Sequence, residues 1–302
     1  MYDIIIIGAG PAGLTAAIYA LRADKNILLI EKENFGGQIT FSPKVENYPG
    51  FTSISGSELA DQLLEHVMSY GAQIEMATVS QIIDNGSSKT VVTDYGEFES
   101  KAVIIATGSK HRHLGLENET ELIGNGISYC AVCDGAFYNG KAVAVIGGGN
   151  TALQEAVMLS EYCTSVTVIQ NLSFMTGEGK LLKILEGRSN VNIIYDSVVT
   201  EFLATDTLYG VKVRNTKTEE EAEIKVDGVF VAIGQQPENE PFVSVAELND
   251  YGYIVSDEKC RTGTPGVFVA GDCRTKEVRQ VTTATADGAV AALAACRFID
   301  NL

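Results

Sequence analysis

The chain carries one local pattern twice: an apolar strand run, a glycine-rich turn, and a stretch with helical spacing. The first copy passes from Tyr2-Asp3-Ile4-Ile5-Ile6-Ile7 through Gly8-Ala9-Gly10-Pro11-Ala12-Gly13 into Leu14 to Leu21. The second passes from Ala142-Val143-Ala144-Val145-Ile146 through Gly147-Gly148-Gly149-Asn150-Thr151-Ala152 into Leu153 to Ser160. Unbroken apolar runs of this kind suit strands buried on both faces of a parallel sheet. The glycines let backbone amides reach a dinucleotide pyrophosphate at the helix N-terminus, where the helix dipole favours an anion. The next strand of the first copy, Ile27-Leu28-Leu29-Ile30, ends in Glu31, 23 positions beyond Gly8. An acid at that offset can hold ribose hydroxyls.

The later halves of the copies match as well. Lys101 to Ser109 and Val226 to Gln235 each read as a strand ending in a small residue and glycine. Each follows an alternating segment suited to antiparallel strands, Thr90-Val91-Val92-Thr93 and Val211-Lys212-Val213-Arg214. Gly266 to Asp272 supplies a further strand that completes the first copy, which makes the second copy an insertion. The expected fold is therefore α/β, with two Rossmann-like, three-layer dinucleotide-binding domains, the second inserted in the first. Residues 1–113 and 241–302 make the outer domain and 114–240 the inserted one. Connecting strands are expected near His113–Leu116 and Glu238–Phe242.

At 302 residues the chain has room for two such domains. A net charge of −17 argues against nucleic acid as a partner, since that affinity rests on Lys and Arg at phosphates. No apolar run approaches the roughly 20 residues of a membrane helix, and no basic-then-apolar leader opens the chain, so a cytoplasmic protein without membrane attachment is expected.

Cys130-Ala131-Val132-Cys133-Asp134 stands shortly before the second glycine turn. A Cys-x-x-Cys pair stabilises the thiolate of one cysteine and exchanges disulfides through a mixed intermediate. An acid next to it can carry the proton for a leaving thiolate, although Asp134 beside a glycine also suits a helix cap or turn. A zinc site needs two more ligands, and the chain offers only His66, His111 and His113 and no second Cys-x-x-Cys, so no metal is expected. A structural disulfide is the remaining alternative. Cys163, Cys260, Cys273 and Cys296 have no paired spacing and read as buried small hydrophobes.

Together these segments resemble the low-molecular-weight thioredoxin reductases over essentially the whole chain: GAGPAG at 8–13, GGQI at 36–39, ENYPG at 46–50, ATG at 106–108, CAVCDG at 130–135, GGGNTA at 147–152, PGVFVAGD at 265–272 and RQV at 279–281. The resemblance implies a homodimer with FAD in the outer domain. By position, Gly8, Gly10, Pro11, Ala12 and Gly13 would cradle the pyrophosphate, with Glu31 and Lys32 at the adenosine ribose. Gly37, Gln38 and Asn47 would line the flavin, with Val79, Ala106, Thr107, Gly108 and Gly271 completing the site. Asp272 would take a ribityl hydroxyl, and Arg279, Gln280 and Val281 would meet the flavin or its ribityl chain. The resemblance also implies that Cys133 faces the flavin, that Cys130 attacks the disulfide of thioredoxin, and that Asp134 carries the proton. In the family the inserted domain swivels between these partners.

One segment departs from the family. The strand after the second glycine turn usually ends in a His-Arg-Arg run that holds the 2′-phosphate of NADPH. Here it ends in Gln170-Asn171-Leu172, with Gln170 23 positions beyond Gly147, and no Lys, Arg or His lies between Lys141 and Lys180. A charge-assisted hydrogen bond contributes about 1.5–3 kcal/mol. Losing two lowers affinity by about 10² to 10⁴. NADPH is therefore not the expected donor. The pattern is similar to the ferredoxin-dependent flavin thioredoxin reductases, so ferredoxin is expected to supply the electrons. Basic residues at Lys110-His111-Arg112-His113 and from Arg274 through Lys276 to Arg279 would form its docking patch. An NADPH- or NADH-dependent reductase, and a flavin-bound redox sensor without rapid turnover, remain open on the residues alone.

Overall fold

A computed structural model describes residues 1–42 and 44–302. The chain divides into two compact units, Met1–Lys110 with Gln236–Leu302, and His111–Gln235.

The first unit opens with β1 (Tyr2–Ile7), α1 (Pro11–Arg22) and β2 (Ile27–Glu31), followed by α2 (Gly56–Ser69) and β3 (Gln73–Met76). β4 (Val79–Asp84), β5 (Lys89–Thr93) and the long β6 (Gly96–Ile105) come next. β1 lies between β2 and β6, parallel to both, and β3 extends the sheet beyond β2. The isoleucines of β1 are buried because the sheet is covered on both faces, an environment that suits β-branched side chains. β6 serves two layers. Its first half pairs antiparallel with β5, and its second half runs parallel to β1.

The second unit repeats the plan. It contains β7 (Lys110–His111, astride the boundary), β8 (Ile127–Ser128), the one-turn α3 (Ala131–Asp134), β9 (Ala142–Ile146), α4 (Asn150–Leu159), β10 (Ser165–Ile169), α5 (Gly179–Glu186) and β11 (Val191–Ile194). The antiparallel strands β12 (Ser197–Ala204), β13 (Leu208–Asn215) and β14 (Glu221–Lys225) follow, then β15 (Gly228–Val231) and β16 (Gln235–Gln236). The parallel sheet runs β11-β10-β9-β15-β8, and β12-β13-β14 forms a separate sheet. The chain then returns to the first unit, where β17 (Val267–Val269) pairs parallel with β6, and ends in α6 (Val281–Asp300). Thus the segment beginning at Gly266 does complete the first sheet. α6 packs on α1 at a distance only glycine allows: a Cβ on Gly288 would lie 2.2 Å from the Ala12 carbonyl oxygen.

The connecting strands do not lie where the sequence suggested. They are β7 and β16, which form a two-stranded sheet. At 114–116 the backbone amides of Leu114, Gly115 and Leu116 donate to the Glu119 carboxylate instead of a strand partner. Glu240–Phe242 is a 3₁₀ turn whose Pro241 has no amide to donate. No helix is long and apolar enough to cross a membrane among the described residues.

Candidate active site

Cys130 and Cys133 form a disulfide, with Cα atoms 5.3 Å apart. The Cys130 residue caps α3, and its Sγ accepts the Cys133 amide at 3.2 Å. Such a donor stabilises negative charge on sulfur. Asp134 closes the same turn. Its Oδ2 accepts the Ser128 hydroxyl at 2.6 Å, while Oδ1 is enclosed with no hydrogen-bond partner. Burial outweighs the Ser128 contact and raises the Asp134 carboxyl above its ordinary range. A carboxyl that keeps its proton to higher pH is what an acid beside a thiolate requires.

Glu155, which the sequence did not single out, reaches this turn from α4. Its Oε1 accepts the Ala131 amide at 3.2 Å. Its Oε2 is enclosed without a partner, and burial pushes the carboxyl up to about 7. A cavity of about 420 Å³ opens beside the turn between Ala131, Val132, Ala136, Asn139, Met158 and Tyr162. Of the aromatic residues near this site, Tyr138 is core, packed edge-on to Phe230. The other four cysteines are all buried.

In the first unit the glycine turn is built from Gly8, Gly10 and Gly13, with Pro11 at the first helical position of α1. Gly8 has φ +103° and lies so close to β6 that a Cβ would stand 2.4 Å from the Ala106 carbonyl oxygen. Gly10 differs: a Cβ there would meet nothing nearer than the Gly36 carbonyl oxygen at 4.0 Å, so the space above the turn is open. Glu31 ends β2 and is buried; its carboxylate accepts the amides of Ala9 at 2.7 Å, Lys32 at 2.9 Å and Glu33 at 2.8 Å. The Lys32 ammonium pairs with Glu238. Gly36 donates to the Ala9 carbonyl, which brings Gly37 and the exposed Gln38 to the same turn.

Other residues singled out in the sequence converge on the start of α6. Asn47 donates to the Gln280 side chain at 3.2 Å, and Gln280 closes a capping box with Thr283 just ahead of Val281. The Arg279 guanidinium lies 4.1 Å from the centre of the Tyr253 ring. Asp272 follows Gly271, which has φ +80°, in a short 3₁₀ turn after β17. Its Oδ1 is enclosed and without a hydrogen-bond partner, and burial pushes its carboxyl up to about 6. Thr107 reaches Asn239 at 3.4 Å; between it and β6 lies the buried Ala106, and Gly108 beyond it takes φ +69°. Val79 is buried in β4, opposite Thr93.

In the second unit Gln170 stands where Glu31 stands in the first, but it is turned onto the glycines. A Cβ on Gly148 would lie 2.3 Å from Gln170 Nε2. The Gln170 amide donates to Phe174 and accepts from Asn171. The amides of Thr176 and Gly177 both donate to the Gly148 carbonyl, and Glu178 hydrogen-bonds Asn150 at the start of α4.

The basic segments are not the open docking patches expected. Arg274 is buried in a two-pronged pair with Asp287, at 2.9 and 2.8 Å, and Lys276 joins the same carboxylate at 2.9 Å. Sequence spacing could not reveal that pairing, because Asp287 comes from α6. Lys110 is paired with Glu33 and Glu238, and burial with the neighbouring His113 pushes His111 down to about 4, which leaves it neutral.

A model of the pyridine nucleotide-disulphide oxidoreductases matches residues 2–288. The 34.2 kDa protein in rubredoxin operon of Clostridium pasteurianum is 44% identical over 298 residues, 98% of this chain and 97% of that one. Thioredoxin reductase of Listeria monocytogenes is 41% identical over 307 residues, 100% of this chain and 95% of its own. Among solved structures, thioredoxin reductase from Streptococcus pyogenes superposes with a TM-score of 0.95 at 38% identity, covering 100% of this chain and 99% of that one. A ferredoxin-flavin thioredoxin reductase from Clostridium acetobutylicum superposes with a TM-score of 0.55 at 31% identity, covering 100% and 99%. The chain belongs to the pyridine nucleotide-disulphide oxidoreductase family, and within it to the thioredoxin reductases.

Proposed function

We propose that the protein is a flavin-dependent thioredoxin-disulfide reductase whose electrons come from reduced ferredoxin rather than NADPH. The unit holding residues 1–110 and 236–302 is its FAD-binding domain, and the inserted unit carries the redox disulfide. The Oδ1 of Asp272, enclosed and without a hydrogen bond although Lys276 lies 3.9 Å away, could accept a ribityl hydroxyl, and the open space above Gly10 has room for a pyrophosphate, so both fit an FAD. Gly8, Gly10, Pro11, Ala12 and Gly13 would hold the pyrophosphate, and Glu31 with Lys32 the ribose. Gly37, Gln38, Asn47, Val79, Ala106, Thr107, Gly108 and Gly271 would line the flavin and ribityl chain with Arg279, Gln280 and Val281. Bound FAD supplies electron pairs for disulfide reduction and accepts single electrons from an iron–sulfur donor. In the disulfide turn, Cys130 attacks the thioredoxin disulfide, its thiolate steadied by the Cys133 amide. Asp134 holds the proton for the departing thiolate. We take the working form to be a homodimer, by likeness to the family.

The single observation behind the donor assignment is Gln170. It fills the space beside Gly148 and brings no charge to the place where a 2′-phosphate would need two arginines. The likeness to the Clostridium acetobutylicum enzyme supports the same reading. With Arg274 and Lys276 already paired, docking falls to exposed residues such as Arg112.

The test is anaerobic. The FAD-loaded protein is mixed separately with NADPH, NADH and reduced ferredoxin while the flavin absorbance is followed. Bleaching by ferredoxin alone is the expected result. Rapid bleaching by NADPH would reject the ferredoxin assignment and leave an NADPH-dependent reductase.

A further inference from the structure

Glu155 lies beside the disulfide turn, yet nothing in the chemistry above uses its burial. It projects from α4 toward α3, where Oε1 accepts the Ala131 amide, the first of the turn, and Oε2 has no donor. Asp134 at the other end of the turn has the same arrangement. One oxygen accepts the Ser128 hydroxyl and the other is enclosed without a donor. Two half-satisfied carboxyls thus flank one disulfide. The other titratable groups around them are the phenols of Tyr138 and Tyr162, the buried Cys163 thiol and Asp227, with Lys141 over the Tyr138 ring. Among the described residues, no cation acts on either carboxyl.

Like charges in a low-dielectric site resist ionising together. Their protons then leave in two steps that belong to the pair. The position of Glu155 at about 7, set by burial and by the Asp134 charge, agrees with such coupling. We infer that Glu155 is a positioning residue for disulfide exchange: it shares one proton with Asp134 in an enclosed carboxyl pair and so sets the pH at which Asp134 can protonate a departing cysteine thiolate. The inference rests on the disulfide-reductase reading above.

The balance is simple with a small dithiol as reductant. One dithiol sulfur attacks Cys130, the Cys130–Cys133 bond breaks, and Cys133 leaves with the electron pair and takes the proton held by the carboxyls. The second dithiol sulfur then attacks the first and releases Cys130. The dithiol ends as its own cyclic disulfide, and its two protons refill the carboxyl pair and protonate Cys130.

The experiment mixes full-length, FAD-loaded protein with excess reduced dithiothreitol across a range of pH. The rate at which Cys130–Cys133 is reduced, divided by the concentration of dithiol thiolate, gives an exchange rate constant at each pH. The wild-type curve should bend near neutrality. Glu155→Gln keeps an acceptor for the Ala131 amide but removes the charge, so the bend should move toward acid by about one pH unit. Superimposed wild-type and Glu155→Gln curves would overturn the inference. Should that variant lose its fold by circular dichroism, Asp134→Asn decides instead. The remaining Glu155 carboxyl should then titrate at lower pH, and an unmoved bend overturns the pair. Thioredoxin turnover is measured in parallel. A wild-type protein that reduces no thioredoxin with any donor would remove the functional reading, while the dithiol curves still decide the carboxyl pair.

Discussion

After the first glycine turn the next strand ends in Glu31, and after the second Gln170 directly follows the strand, each 23 positions beyond the first glycine. The leading glycine answers the same demand in both turns. Gly8 and Gly147 have φ +103° and +131°, and a Cβ on either would lie 2.4 Å from a carbonyl oxygen of the neighbouring strand segment. That demand comes from the sheet itself and exists with or without a ligand. The side chains at or just after the end of the next strand differ. Glu31 is held by three amides beside open space, whereas Gln170 is folded over Gly148 and hydrogen-bonded to its own loop. A glycine fingerprint therefore reports how a strand turns into a helix. On the proposed reading, whether a nucleotide is used is decided by the side chain at or just after the end of the next strand.

Installing the absent charge tests this contrast most severely. Asn171→Arg with Leu172→Arg would restore two cationic donors, together worth about 10² to 10⁴ in NADPH affinity. We expect NADPH to bleach the flavin of this variant at concentrations that leave the wild type unchanged. No gain would mean that Gln170 and the 174–178 segment close the second turn more firmly than charge can open it.

The same contrast explains what the sequence disclosed. Both strand–turn–helix units, the return of the chain at Gly266 and the Cys130–Cys133 pair were legible, because each depends on residues close in sequence. Glu155 was not. In Leu153-Gln154-Glu155-Ala156 an acid reads as the solvent face of a helix, and only packing against α3 buries it. Arg274 and Lys276 looked like an exposed patch for a related reason, since Asp287, their partner, lies more than ten residues away on α6. The connecting strands do not fall at His113–Leu116 because the Glu119 carboxylate captures the amides of Leu114, Gly115 and Leu116, a contact that spacing does not disclose.

Three further substitutions probe the first unit and its counterpart. Asp272→Asn should weaken FAD binding by about tenfold to a hundredfold, the loss of one charge-assisted hydrogen bond. It should also leave the Cys130–Cys133 exchange rate constant unchanged. Fluorescence titration of flavin-free protein measures the first and the rate of reduction by dithiothreitol the second. Unaltered FAD affinity would remove Asp272 from the site. Gly10→Ala and Gly149→Ala form a matched pair, because both glycines have ordinary extended backbones and the protein leaves room for a methyl group at each. If a pyrophosphate fills only the first space, Gly10→Ala should cost about 1–3 kcal/mol of FAD binding through overpacking. Gly149→Ala should leave ferredoxin-linked turnover as it was. A slower Gly149→Ala enzyme would place a ligand at the second turn.

The smallest expected effect is on pH. In the flavin-free protein, burial lifts Asp272 to about 6, from an ordinary 3.8. A hydroxyl donated to Oδ1 favours the anion, so the bound state should hold its proton less tightly than the free state. FAD affinity must then rise with pH up to about 6 and level off above it, since binding releases a proton only while the free carboxyl still carries one. Each unit by which binding lowers this pKa is worth about tenfold in affinity at acid pH. The folded flavin-free protein has the opposite slope: a carboxyl raised by burial binds protons more tightly folded than unfolded, so its contribution to stability declines as pH rises from the ordinary carboxylate range toward 6. Asp272→Asn should flatten both dependences. Wild-type FAD affinity that does not change across this range would mean that Asp272 meets no hydroxyl, and the first unit would lose the one enclosed carboxylate oxygen assigned to hold FAD.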